Sequence, residues 1–142
     1  MITKSVFDKA KGFLCWDTFS DLNVQFIELH HSVAYFFPPS KDRSTIVVFH
    51  RQGNPDFSKP FFLLFHEAGH YLQFQEWQST GRETHFCKLI DTLAGSIKDA
   101  FEEESWNWGK ELLEDFILKN GLDKTILEAY DDYAGDCISS YR

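Results

Sequence analysis

The chain has 142 residues, enough for one domain with a core that needs no disulfide. It carries 22 acidic and 14 basic residues, and the resulting net charge of −8 argues against a nucleic-acid-binding surface. The 15 Phe, 5 Tyr and 4 Trp indicate an aromatic-rich core and exclude a disordered segment. We therefore expect a single domain over residues 1–142, with a protein or peptide as its partner.

Cysteine content and hydropathy predict the compartment. Cys15, Cys87 and Cys137 are far apart and odd in number, which is typical of neither a disulfide framework nor a metal knuckle. The N-terminal stretch lacks the apolar region of a signal peptide, and no uncharged run approaches the roughly 20 residues of a membrane span. We expect a cytoplasmic protein that does not contact membrane.

The first half of the chain predicts one helix followed by three strands. Apolar residues recur at helical spacing over residues 4–20. Three runs rich in aromatic and β-branched residues follow, Val24 to His30, Ser32 to Phe37 and Ser44 to His50. These runs predict a small, mostly antiparallel three-stranded sheet.

The second half is predicted to be helical. Ser58 and Pro60 are typical of a helix start, and the apolar residues that follow predict a buried helix to about Trp77. A second helical pattern runs from about Phe86 towards Lys119, with a possible break at Gly95-Ser96. Asn120-Gly121 should end it, and Asp123 can cap a last helix. The expected fold class is therefore α+β.

The buried helix carries the sequence His66-Glu67-Ala68-Gly69-His70, an HExxH motif. A helix rises 1.5 Å and turns 100° per residue, so His66 and His70 project to one side and can reach one metal ion. A catalytic Zn²⁺ accepts neutral imidazole ligands and keeps one position open for water. Glu67 lies beside them and is suited to act as general base. The motif predicts one Zn²⁺ bound by His66 and His70; the alternative is a pair of satisfied core histidines.

Gly69 within the motif carries its own prediction. Glycine inside a helix costs about 1 kcal/mol relative to alanine. Its presence therefore predicts that another segment of backbone passes close to it.

A third ligand must come from elsewhere, and the glutamates of residues 102–104 are the candidates. On a helix, Phe101, Trp108 and Leu112 form an apolar stripe that begins at Ile97, and Glu104 is its acidic member. Glu104 is therefore the predicted third ligand, with Glu103 as the alternative. Glu102 is assigned to a solvated acidic face.

These two segments together resemble the ImmA/IrrE-type gluzincin metallopeptidases. The family's HExGH helix is similar to Phe65-His66-Glu67-Ala68-Gly69-His70, and its glutamate helix is similar to residues 102–113. The resemblance implies a zincin-like fold, with helices packed on a small three-stranded sheet. It also implies His66, His70 and Glu104 as zinc ligands, Glu67 as general base, and a helix-turn-helix repressor as a possible substrate.

The sequence thus predicts a zinc-dependent metallopeptidase that acts on a specific protein. The alternatives are a non-catalytic zinc-binding regulatory protein on the same scaffold and a helical domain without metal. Residues 44–49 are the candidate free sheet edge for a substrate strand, although an ordinary covered strand is the alternative. No residue is assigned to stabilise the oxyanion, and His30, His31 and His50 are expected at the surface or at strand ends.

Overall fold

The computed structural model describes residues 1–39 and 41–141. The expected α+β class is confirmed: five α-helices and a three-stranded sheet lie within these residues, together with a π-helical turn over Phe13–Thr18. The elements are α1 Lys4–Gly12, β1 Leu22–Leu29, β2 Val33–Phe37, β3 Ser44–Arg51, α2 Ser58–Ser79, α3 Glu83–Ile90, α4 Ser96–Asn120 and α5 Thr125–Ser140.

The chain divides into two compact units, Met1–Ala68 and Gly69–Arg142. The boundary falls inside α2, so this one helix contributes residues to both units. The single domain expected from the length stays a prediction.

The sheet has the order β1-β3-β2, and this order corrects the prediction of a mostly antiparallel sheet. β3 pairs in parallel with β1, Val24 lying opposite Ile46, and antiparallel with β2, Tyr35 lying opposite Val47. The short connection over residues 30–32 makes β1 and β2 run in opposite directions. A strand inserted between them must therefore be parallel to one of the two.

The central position of β3 also corrects the candidate substrate edge. β3 uses its backbone groups on both sides, so the prediction that residues 44–49 form a free edge is wrong. Every second residue of β3 from Ser44 to His50 is buried, so one side of the strand faces the core. Within the described chain, the free edges of the sheet belong to β1 and β2.

Aromatic side chains join α1 to the sheet in the first unit. Phe7 of α1 is 1% exposed and stacks on Phe26 of β1 with ring centroids 3.9 Å apart. The ring centroid of Phe57, just before α2, lies 5.4 Å from that of Phe7. The Thr3 side chain accepts from the Val6 amide and caps α1. The predicted first helix is confirmed as α1 and the π-helical turn.

The predicted helices of the second half are confirmed, with one boundary sharpened. The break expected at Gly95-Ser96 separates α3 from α4, and α4 ends at Asn120 with Gly121 in the left-handed conformation at φ 60°. In the second unit, the Tyr130 hydroxyl of α5 donates to the Trp106 carbonyl of α4 at 2.7 Å. None of the described helices combines the length and the apolar character that a membrane span needs.

Candidate metal centre

The HExxH motif occupies the middle of α2, where its polar side chains are buried. His66 is 5% exposed, Glu67 7% and His70 1%. The surrounding α2 residues are mostly apolar, and polar groups placed there cost free energy unless they find partners. The two histidines are four residues apart on one continuous helix, which places both on one side of it.

Gly69 marks the point at which α4 crosses this part of α2. A Cβ atom on Gly69 would lie 2.0 Å from the Ser105 carbonyl oxygen and 2.9 Å from the Gly109 nitrogen. Only a residue without a side chain permits this approach. The prediction of a nearby backbone segment is confirmed, and that segment is α4.

The close crossing brings Glu102 to His70. Glu102 precedes Ser105 by three residues, which is about one helical turn. Its Oε2 lies 2.9 Å from His70 Nε2, and its Oε1 lies 2.9 Å from Lys98 Nζ. The carboxylate is therefore held between a ligand-type nitrogen and an ammonium group.

His66, His70 and Glu102 form the group that could hold a metal ion among the described residues. One ligand atom from each lies within 4.8 Å of the other two. Zinc ligands lie about 2.0 to 2.2 Å from the ion, so small side-chain rotations would let all three reach a common ion. Two imidazoles and one carboxylate are also a ligand set that catalytic zinc uses.

Gln73 determines which nitrogen of His70 faces this group. The Gln73 amide Nε2 donates to the Phe101 carbonyl at 2.9 Å and to Glu104 Oε1 at 3.0 Å, so Oε1 is its acceptor end. Gln73 Oε1 lies 2.8 Å from His70 Nδ1, which must therefore carry a proton. In the neutral ring, this leaves the lone pair on Nε2.

The lone pair of His70 Nε2 then faces a carboxylate oxygen. Two acceptors 2.9 Å apart are favourable only with a cation between them, either a proton that makes His70 an imidazolium or a metal ion. Metal-binding histidines usually donate one ring N–H to an oxygen acceptor, as His70 Nδ1 does to Gln73 Oε1, and bind the metal through the other nitrogen. The residues present therefore fit a zinc ion.

Glu104, the predicted third ligand, is not part of the group formed by His66, His70 and Glu102. Its Oε1 accepts from Gln73 Nε2 and from Trp77 Nε1, the latter at 3.4 Å. Glu104 therefore holds Gln73, which in turn accepts from His70 Nδ1. Glu103 is half-buried and is also outside the group. The structure brings together His66 and His70 as predicted, but with Glu102 in place of Glu104.

The assignment of Glu102 to a solvated face is wrong, because its side chain is only 14% exposed. The predicted stripe started from Ile97, which is 67% exposed. Phe101 and Leu112 of that stripe are buried, but they lie at one edge of the buried face of α4. That face continues through Trp106, Gly109 and Leu113, which follow Glu102 by four, seven and eleven residues. The small pair Ser105 and Gly109 was the available signal, since it marks where another helix approaches.

His30 and His31 are exposed, as expected, whereas His50 is buried. It is the penultimate residue of β3, 8% exposed, and its ring lies against Phe7, Phe26 and Phe57. The prediction placed it correctly near a strand end but missed its burial. The outward-inward alternation of β3 determines that burial.

Tyr130 is a buried polar residue of the second unit, 1% exposed. Burial raises its pKa far above the usual value, so the hydroxyl stays protonated and donates to the Trp106 carbonyl. That hydrogen bond links α5 to α4, which gives Tyr130 a structural role.

No family model, curated protein or solved structure matches this chain. The resemblance to the ImmA/IrrE-type metallopeptidases therefore stays a prediction that depends on the two motif segments.

Proposed function

We propose that this protein is a zinc-dependent metallopeptidase in which His66, His70 and Glu102 hold one Zn²⁺. One observation carries the proposal: ligand atoms of these three buried or half-buried side chains lie within 4.8 Å of one another. The hydrogen bond between His70 Nδ1 and Gln73 supports it, because that bond directs Nε2 towards Glu102. The zincin-like fold belongs to the same proposal.

Glu67 is the proposed general base. Bound zinc would lower the pKa of a water molecule towards about 7, so that a carboxylate can deprotonate it near neutral pH. Glu67 follows the first histidine on α2, and its burial keeps its carboxylate away from bulk solvent. It accepts the proton of the attacking water at a carboxylate oxygen and delivers it to the leaving amine nitrogen.

The remaining residues orient this machinery. Gln73 holds the His70 ring through Nδ1, and Glu104 and the Phe101 carbonyl hold the Gln73 amide. Outer partners of this kind fix the ring orientation and raise its basicity. The substrate class is protein or peptide; a helix-turn-helix repressor is implied by the family resemblance alone and stays a prediction.

The test compares wild type with Glu67→Gln. Both should carry about one equivalent of zinc, since Glu67 is not a ligand in this scheme. Hydrolysis of a casein or mixed-peptide substrate should fall by at least about 100-fold in the variant. Equal hydrolysis by the two proteins would refute the peptidase, and zinc binding without any hydrolysis in wild type would favour the non-catalytic zinc protein.

A further inference from the structure

The second oxygen of Glu102 is engaged by a lysine from the same helix. Lys98 Nζ lies 2.9 Å from Glu102 Oε1, and Lys98 precedes Glu102 by four residues on α4. The lysine side chain is 11% exposed and the glutamate side chain 14%. This ion pair is therefore largely removed from solvent, unlike the surface pairs that contribute little.

Lys98 is held in place by further acceptors. Its ammonium also donates to the Leu89 carbonyl at 2.8 Å and to the Ile90 carbonyl at 3.2 Å, both at the C-terminal end of α3. An ammonium has three protons, and three acceptors engage it here. A lysine that only terminated α3 would need the two carbonyls and not the carboxylate.

We propose that Lys98 is a positioning residue that reserves Oε1 of Glu102 and so restricts this carboxylate to one ligand atom, Oε2. This inference rests on the proposed zinc site. A carboxylate with both oxygens available can bind a metal through either one or both. By holding Oε1, Lys98 keeps a coordination position open for water, which a catalytic zinc site requires.

The geometry distinguishes the two oxygens. Oε2 is the one that faces His70 Nε2, whereas Oε1 is the one that faces Lys98. Rotation of the carboxylate to present both oxygens to the ligand group would break the bond to an ammonium that two carbonyls hold in place. Such a charge-assisted hydrogen bond is among the stronger contacts of a protein interior.

The experiment uses the cobalt-substituted protein and its visible absorption, with X-ray absorption of the zinc form as a second readout. In Lys98→Met, Glu102 should bind through both oxygens, so the metal gains about one oxygen ligand. Four-coordinate Co²⁺ absorbs more strongly than five-coordinate Co²⁺, and the visible band should therefore lose intensity. Lys98→Arg, which keeps a charged donor, should preserve more of the band than Lys98→Met does.

Lys110→Met is the matched control. Lys110 is on the same helix and pairs with Asp131 at 2.8 Å, but outside the ligand group. Its spectrum should equal that of wild type. If Lys98→Met does not fold, as judged by circular dichroism of the metal-free protein, Lys98→Ala takes its place.

Two results separate the inference from the function on which it rests. A Lys98→Met spectrum and oxygen count equal to those of wild type would overturn the role of Lys98, even if Glu102→Ala weakens metal binding. Metal binding that Glu102→Ala leaves unchanged would instead overturn the zinc site itself.

Discussion

Two buried histidines, His50 and His70, have very different surroundings. His50 lies in the first unit against the rings of Phe7, Phe26 and Phe57, and its Nδ1 has no hydrogen-bond partner among the described residues. His70 lies in the second unit, with Gln73 at one ring nitrogen and Glu102 at the other. Burial alone therefore does not distinguish these two histidines, whereas polar partners at both ring nitrogens set His70 apart from His50.

The largest expected effect separates these two histidines. His70→Ala removes a proposed ligand, so zinc affinity should fall by more than the 10- to 100-fold that is typical when a hydrogen-bond partner of a ligand is removed. His50→Phe keeps a ring among the aromatic residues and should leave affinity within about twofold of wild type. Competition with a chromophoric chelator measures the zinc affinity of both variants. Equal affinities in the two variants would remove the distinction between the sites.

The next effect concerns the helix crossing beside His70. Gly69→Ala places a methyl group 2.0 Å from the Ser105 carbonyl, so α2 and α4 must separate. We expect the free energy of unfolding to fall by about 2 to 3 kcal/mol. Chemical denaturation of the metal-free protein measures this.

Gly135 provides the control for Gly69. It also lies inside a helix, α5, but a Cβ there would meet nothing within 4 Å. Gly135→Ala should raise stability by about 0.5 to 1 kcal/mol through helix propensity alone. If Gly69→Ala proved as stable as Gly135→Ala, the backbone contact would not exist as described.

A smaller effect tests the support of His70. Gln73→Met removes the acceptor for His70 Nδ1 and leaves the Phe101 carbonyl without its amide donor. Zinc affinity should fall about 10-fold. Isothermal titration with zinc measures the loss, and an affinity equal to wild type would show that the histidine needs no such support.

The smallest effect lies in the first unit, away from the ligand group. Asp56 accepts from the Ser58 hydroxyl and amide and from the Ile2 amide, and chiefly the Ser58 hydroxyl holds the pKa of Asp56 below its ordinary value of 3.8. A depressed pKa stabilises the fold above about pH 4, and this contribution is lost as the pH falls through the lower, folded-state pKa.

Asp56→Asn should therefore lower the free energy of unfolding by less than about 1 kcal/mol at pH 7. Towards pH 3, the stabilities of wild type and the variant should converge. Urea denaturation at the two pH values measures the stability difference between wild type and the variant. A difference that widens in acid would contradict a lowered pKa of Asp56. Zinc affinity at pH 7 should not change, because Asp56 is outside the ligand group.

Local pattern predicted the helices well, because helix starts and stops are determined by near neighbours. Ser58, the break at Gly95-Ser96 and the stop at Gly121 all fall where the sequence indicated. The positions of the three strands were also predicted, whereas their order in the sheet was not. Hydrophobic alternation identifies which side of a strand is buried and carries no information about which strand lies between the other two.

The candidate site shows the same difference between features set within one element and features set by packing. The spacing of His66 and His70 is a property of one helix and was readable from sequence. The identity of the third carboxylate depends on how α4 is rotated against α2. A stripe anchored on the exposed Ile97 covered only one edge of the buried face, with Phe101 and Leu112, and so favoured Glu104. Anchoring the stripe on Ser105 and Gly109, opposite Gly69, would have pointed to Glu102.

The most direct test of the central claim is the zinc content of natively purified wild type, Glu102→Ala and Glu104→Ala, measured by elemental analysis. We predict about one equivalent of zinc in wild type and in Glu104→Ala, and a large loss in Glu102→Ala. Zinc lost from Glu104→Ala and retained by Glu102→Ala, or wild type purified without zinc and unable to bind it, would contradict the proposed centre.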